Sequence, residues 1–563
     1  MTNKQLFGLT VQRPMVFAAM AFVVAAMQGA NVNLSLFFLH RQDRWLLLAG
    51  ALLLAFCFWR LPVREQALAG SWRLALTIGI LMATVAFAGH YFILSGYDLS
   101  RDEQMATFDA QVFAQGQLVA PLSGIWRDHA DALNTMFMYP TSQTAGWISA
   151  YLPLNALLRT LFGFVGDPAL SGPVMLLLGA FALWKCARRI WPADREAAVV
   201  GLLLYLGSGQ ILFNGMTAYA MPAHLALNLC WLWLFLRRTL WTDVAALAVG
   251  FVAVGLHQPV MHPMFAAPIL FLLVLERDWR RAAVYFFGYA AIGAFWAWWP
   301  NAMWALVEAN AVVPKEQGID YLSRLVLTVT QGDGLRIANM VANILRFFAW
   351  QHLLLLPLLP LGLMIARKDR LAGALTAGLL LTIAVMFVIL PYQGHGFGYR
   401  YLHGLIGNAI LLAVYGWVAL GDAQARWRPI LLRTTAVGLV IMLPLQAWMA
   451  HSFYAPSAQV SQRLSAINAD YVVIGAGDAP FAADLVINSP FLIERPTRLL
   501  REAMRPAALR AVCKPKPRVA MAGRTELAPI FSYYRLELPP ASTTARTFAS
   551  DLRRAGCQII PIR

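Results

Sequence analysis

Apolar runs of roughly 18–24 residues recur along most of this chain, each bounded by charged or polar connections, and they leave few folds open. About 20 apolar residues in a helix cross the hydrocarbon core of a bilayer, and the helix satisfies every backbone N–H and C=O inside that core. About thirteen spans are expected, at residues 15–39, 45–59, 74–94, 169–184, 197–213, 222–236, 244–257, 263–275, 282–304, 347–365, 371–391, 402–420 and 430–449. Gln28, Asn31 and Asn33 interrupt the first. Its basic start and the small residues near Ala30 resemble a signal peptide, but it reads as a retained anchor, because removing it would invert every later connection. Charged residues make up only 13% of the chain and hydrophobic ones 59%, where a soluble protein carries about a quarter charged. The expected fold is therefore an all-α polytopic membrane domain.

Alternate connections are basic, at residues 60–73, 185–195, 237–238, 277–281, 367–370 and 426–433. Positively charged connections stay on the cytoplasmic side, which places the N-terminus there. The intervening connections, at 96–168, 257–262, 307–343 and 392–401, then face outward, as does everything after residue 449. The short turn at 40–44 departs from the pattern. These signals account for much of the net charge of +17. No groove-reading motif accompanies the charge, so no nucleic-acid partner is expected.

Residues 1–449 read as the membrane domain and 450–563 as a small extracytoplasmic α/β domain. In the latter, 471–475, 518–522 and 533–538 read as strands, and 498–511 and 547–555 as helices. The Ile-Gly-Ala-Gly-Asp-Ala-Pro stretch at 474–480 lacks the spacing of a dinucleotide loop and reads as a turn. An oxidising compartment would allow Cys513 and Cys557 to pair. No zinc-type Cys/His spacing is present, and a divalent metal is neither excluded nor required.

An acidic cluster, Asp98, Asp102, Glu103 and Asp109, directly follows the span at 74–94. Met105, Phe108, Val112 and Phe113 recur at helical spacing, which puts the acids at the start of an amphipathic helix. Each acid alone suits the positive end of a helix dipole. Together, at the mouth of a span, they read as a reaction centre.

Other polar residues gather at the outward ends of spans: His257, Gln258 and His262; Asn214, Tyr219 and His224; Arg346 and His352; His395, Tyr399, Arg400, Tyr401 and His403. A single histidine there is ordinarily an interfacial hydrogen-bonder, and tyrosines form belts. Ionisable groups converging on one face near lipid depth mark a site. Arg400 follows glycines at 394, 396 and 398, an arrangement suited to a phosphate or to snorkelling toward lipid headgroups. A base beside a cation suits a sugar carried on a polyprenyl phosphate, with Asp102 or Glu103 deprotonating an acceptor hydroxyl.

The chain resembles the GT-C superfamily of integral-membrane glycosyltransferases, especially the protein O-mannosyltransferase and aminoarabinose lipid A transferase branch and the RgtA/B/C/D-like group. Asp102-Glu103, Ala110, Gly116 and Leu118 carry the likeness, with Trp147, Tyr151 and Pro153 on the return toward the next span. The resemblance implies a large first outer loop, here 96–168, whose acid, Asp102, is the base. It departs from the family at Ala106, where a tyrosine is usual, and at Met-Tyr-Pro-Thr-Ser-Gln, which replaces a Lys-Pro-Pro element. Two additional spans precede the acidic loop. A second acid could be Asp98, Asp109, Asp128 or Asp131.

The expected activity is inverting transfer of a sugar from a polyprenyl-phosphate donor to a glycan, lipid or protein acceptor on the outer face of a bacterial-type inner membrane. Asp102 is the base and Glu103 its assistant. Arg400 holds the donor phosphate, with His257, His262, His395 and Tyr399 around the substrate. The loop at 307–343 reads first as a plain connection, with a flexible cover over the site as the alternative. The competing class is a polytopic transporter or lipid flippase, which would show broken helices at mid-membrane depth and internal repeats; no repeat is evident. A scaffold would be indifferent to neutralising Asp102.

Overall fold

The computed structural model describes residues 33–59, 63–139, 145–307, 334–538 and 543–562, with a few single residues besides. Most of the first span and of the 307–343 loop lies outside the described residues, as do residues 140–144. The chain forms two compact units. One comprises Met1–Gly89, Ala169–Trp296 and Tyr321–Ala450; the other comprises His90–Pro168, Ala297–Asp320 and His451–Arg563. This partition differs from a division at residue 450, because the acidic segment groups with the tail.

The first unit is helical. Among the described residues of the whole chain, six helices are long and apolar enough to cross a membrane: Trp72–Phe92, Pro168–Ile190, Trp279–Val307, Arg370–Ile389, Arg400–Val418 and Gly421–Ser465. Shorter apolar helices include Met221–Phe235, Leu240–Val254, Met261–Leu275 and Leu355–Ile365. The final span, expected to stop at 449, runs on as helix to Ser465.

Several basic connections meet inside this unit. Arg428 donates to both carboxylate oxygens of Glu196 (2.7 and 2.8 Å) and to the carbonyls of Arg64 and Glu65 (3.0 and 2.7 Å). The 60–73, 185–195 and 426–433 connections therefore share one end of the bundle. The irregular 40–44 turn is tied elsewhere: Asp43 accepts from Arg346 (2.9 Å) and from the Trp350 indole (2.8 Å), and both members of the ion pair are fully buried.

Two expected spans are broken. Residues 197–213 form Arg195–Leu206 and Gly209–Asn214, and residues 347–365 fall on Arg336–Ala349 and Leu355–Ile365. The breaks occur where polar side chains replace the lost backbone bonds. Ser208 Oγ caps Ile211 N–H (3.3 Å) and donates to Gln351 (2.7 Å), while His352 Nδ1 accepts from Leu354 N–H (3.1 Å). Gln210 N–H reaches the Trp350 carbonyl (2.9 Å), which joins one break to the other.

The second unit is mixed. Helix Arg101–Ala114 packs on helix Leu154–Val165, and β1 (Ala120–Pro121) pairs antiparallel with β2 (Gly146–Trp147). In the tail, β3 (Tyr471–Ile474), β4 (Thr497–Leu500), β5 (Arg518–Met521) and β6 (Gln558–Ile559) form a parallel sheet in the order β4-β3-β5-β6. The 533–538 stretch is not a strand. Glu526 returns to the N–H of Gly523 (2.8 Å), opening helix Arg524–Tyr534, and Leu527, Ile530 and Phe531 bury one face of it. The 498–511 stretch divides into strand β4 and helix Pro506–Cys513. Cys513 and Cys557 are disulfide-bonded. Met105, Phe108, Val112 and Trp147 share one apolar core with Val473, Leu499 and Val519 of the sheet.

Candidate active site

In the second unit, the acidic segment begins at a well-made helix start. Ser100 accepts the Glu103 N–H (3.4 Å) and Glu103 accepts the Ser100 N–H (3.2 Å), the reciprocal pair that satisfies two orphan donors. Glu103 also accepts from the Tyr454 hydroxyl (3.2 Å) and is fully buried. Burial first, and the neighbouring Asp98 second, push its carboxyl up to about 8. Asp109 is equally enclosed: it accepts from the backbone (3.1 Å) and the hydroxyl of Ser149, and burial raises it to about 7. Near pH 7 Glu103 is mostly protonated and Asp109 about half so, and both tie the helix to its surroundings.

Asp102 differs. It lies on the first turn, only partly buried, and accepts a hydrogen bond from the Tyr151 hydroxyl. Tyr151 in turn packs its ring on Phe137 (5.6 Å). Phe137 and Met136 are exposed at 43% and 44%, which makes an apolar lip beside a carboxylate. Phe137 adopts a positive φ of 65°, uncommon for a bulky residue. Buried Arg101 fastens this loop by donating to the carbonyls of Asn134 and Met136 (3.1 Å to the latter). Asp98 accepts from Thr107 (2.6 Å), whereas Asp128 and Asp131 are exposed.

Arg400, His395, Tyr399, His257 and His262 belong to the first unit. Gly396 and Gly398 take φ of 130° and 65°, which only glycine adopts readily. The loop they bend wraps around Arg346, which donates to the carbonyls of Gly396 (2.7 Å) and Gly398 (3.1 Å). Arg400 follows, donating to the His395 carbonyl (3.0 Å), with its guanidinium over the rings of Tyr219 (4.8 Å) and Tyr401 (5.5 Å). Tyr399 is fully buried with its hydroxyl on Met340 sulfur (3.7 Å). His262 is fully buried as well, its ring nitrogens engaged by Asn228 (2.7 Å) and Tyr289 (2.6 Å). Asn228 passes the link to the Gly404 carbonyl (2.8 Å), so His262 braces the turn that carries Arg400 rather than lining an open surface. His257 is partly exposed.

The Gly475–Asp478 turn is occupied by its own acids. Gly475 N–H donates to Asp478 (3.0 Å) and Ala476 N–H to Glu502 (2.9 Å), while Arg501 bridges both carboxylates (2.8 and 2.9 Å). Donors that would hold a pyrophosphate are thereby taken. Among the described residues, no group of three or more His, Cys, Asp or Glu is arranged to hold a metal ion.

Fold and site define a mainly helical, multi-span membrane protein with an acidic centre in a mixed α/β unit. No family model and no curated protein matches the chain. Among solved structures it is similar to ArnT from Cupriavidus metallidurans, a crystal structure in the apo state, at a TM-score of 0.44 and 12% identity, covering 72% of this chain and 84% of that one. That likeness assigns neither an activity nor a substrate.

The protonation of Glu103 has a measurable consequence. An unfolded glutamate titrates near 4.5 and the folded one near 8, so between these values the native state binds the additional proton. The stabilisation is complete below the unfolded value and is lost as pH rises through the folded one; Asp109 adds to it in the same sense. Hydrogen exchange over residues 98–114 should be slower at about pH 5 than at about pH 8 after correction for intrinsic rates. Glu103→Gln, which keeps the group neutral, should flatten the difference. An undiminished slope in that variant would exclude Glu103 as the source.

Proposed function

We propose that the protein is an inverting glycosyltransferase that uses a polyprenyl-phosphate sugar on the outer face of a bacterial-type inner membrane. The observation that carries this reading is Asp102: a partly exposed carboxylate on the first turn of a capped helix, soon after the Trp72–Phe92 helix and beside an apolar lip. In the reaction, Asp102 takes the proton of the acceptor hydroxyl as its oxygen attacks the anomeric carbon. The bond from that carbon to the phosphate oxygen breaks, and polyprenyl phosphate departs with the electron pair. Arg400 binds the phosphate in this scheme. His257 and His395 are further candidates for substrate contact, Glu103 positions the helix of Asp102, and His262 and Tyr399 support the Arg400 turn. The Cys513–Cys557 bond is in keeping with an oxidising compartment for the tail.

A panel of radiolabelled polyprenyl-phosphate sugars, offered to wild-type membranes with an envelope fraction as acceptor, tests the reading. Label should move from one lipid-linked donor and from none of the matching nucleotide sugars. The two broken helices joined at Gln210 and Trp350 favour a second reading, a glycolipid transporter or flippase, since unwound segments commonly line transport pathways. Movement of intact donor between leaflets of a proteoliposome, without transfer of label, would select it.

A further inference from the structure

The tail contributes an acid to the Asp102 centre that its distance in sequence conceals. Asp484 lies in the short turn Ala482–Leu485, on the connection between neighbouring parallel strands β3 and β4. The connections leaving the carboxyl ends of a parallel sheet are where such sheets usually meet ligands. Here the connection meets the acidic segment instead. Gln104 donates to the Asp484 carbonyl (2.8 Å), Asn134 to the Ala483 carbonyl (2.8 Å), and the Trp147 indole to the Pro490 carbonyl (2.8 Å). Gln104 and Asn134 thus hold the turn against the helix of Asp102, and Trp147 holds the connection beyond it.

The side chain is left in an unusual position. It is 9% exposed, and among the described residues its carboxylate accepts no hydrogen bond. It faces Arg101 and Asp102, feeling the attraction of one and the repulsion of the other, and burial raises its carboxyl to about 7. A carboxylate enclosed to this degree ordinarily collects donors, because each missing one costs free energy. Arg101 cannot supply them all, since its own donors are directed to Asn134, Met136 and Gln104. The Asp484 oxygens are not among the fully enclosed unpartnered atoms, so a donor can reach them from outside the chain.

We infer that Asp484 is an acceptor-binding residue of the Asp102 site, its carboxyl group taking a hydrogen bond from an acceptor hydroxyl while Asp102 removes the proton of the attacking one. This rests on the glycosyltransferase reading. It gives the α/β tail a part in substrate recognition, and it divides the work among the acids. Glu103 and Asp109 hold the helix, Asp102 reacts, and Asp484 orients.

The test uses the full chain in membranes, the donor that wild type accepts from the lipid-linked panel, and graded amounts of envelope fraction. Asp484→Asn should raise the half-saturating amount of envelope about 10-fold or more, the loss expected for a hydrogen bond to a charged group. Its maximal rate and half-saturating donor should stay within about 3-fold of wild type, and Asp484→Glu should recover part of the loss. An unchanged half-saturating amount of envelope would overturn the inference, as would an equal weakening for the donor. A loss of maximal rate that Asp484→Glu shares, with a lowered melting temperature, would make the residue structural and overturn it too. Wild type that transfers from no donor would remove the glycosyltransferase reading itself.

Discussion

Asp102→Asn is expected to lower sugar transfer by about 10²–10⁴-fold, the range that a positioned general base contributes. Asparagine is nearly isosteric, and its carbonyl oxygen still accepts the Tyr151 hydroxyl that holds Asp102. The helix keeps its cap, because Ser100 and Glu103 make it without Asp102. What disappears is the capacity to take a proton. The loss should fall on the maximal rate, with the half-saturating amounts of donor and envelope little changed. Transfer assays at matched expression, with melting temperature as a fold control, read the effect. Equal rates in variant and wild type would remove Asp102 as the base and leave a structural role for the entire cluster.

The second large effect concerns stability. Arg346→Ala should cost about 3–5 kcal/mol, because it strands the carboxylate of Asp43 in a fully buried site. Asp43 is fully buried and, among the described residues, its remaining donor is the Trp350 indole. The same substitution releases the carbonyls of Gly396 and Gly398, so the turn that carries Arg400 should loosen with it. The double variant Asp43→Leu/Arg346→Met tests the mechanism, since it removes both charges and fills the space. It should recover most of the lost stability, but not the order of the Gly-rich loop. Denaturation in detergent micelles and hydrogen exchange over residues 394–404 separate the two outcomes. A single variant that melts like wild type would contradict the account of the pair.

Long apolar runs were readable because a span has a minimum length, and nearly all of those expected within the described residues fall on helices. The breaks were not readable. Gln351 and His352 look like interruptions of an otherwise apolar run, and only the fold shows that His352 takes the Leu354 N–H while Gln351 bonds the side chains of Ser208 and Gln210 at the other break. The tail illustrates a different limit. Tyr533 and Tyr534 are β-formers, yet the Gly523–Glu526 cap and the burial of Leu527, Ile530 and Phe531 place them at the end of a helix, and residues 536–538 follow it without regular structure. Propensity yielded to packing. For the acids, one signal stood in plain view: Ser100 three residues before Glu103 spells a capping box, and that spacing marks Glu103 as a structural glutamate. No local pattern marks Asp484. Its contact with Gln104 spans 380 positions, and nothing in Phe-Ala-Ala-Asp-Leu-Val hints at it.

The core shared by residues 105–147 and the tail sheet sets an order of events during synthesis. The acidic segment leaves the ribosome more than 300 residues before the tail residues that help to bury Phe108 and Trp147. Until they arrive, that segment is an amphipathic helix and a hairpin without their apolar partner. Once they arrive, closing so long a loop costs little more than closing a short one, because the entropy grows only with the logarithm of length. The acidic segment is therefore packed only once the tail sheet has been made, and a chain stopped before that sheet would hold the membrane helices with the segment uncovered. Quality control at the level of the whole polypeptide is thus written into which segments share a core.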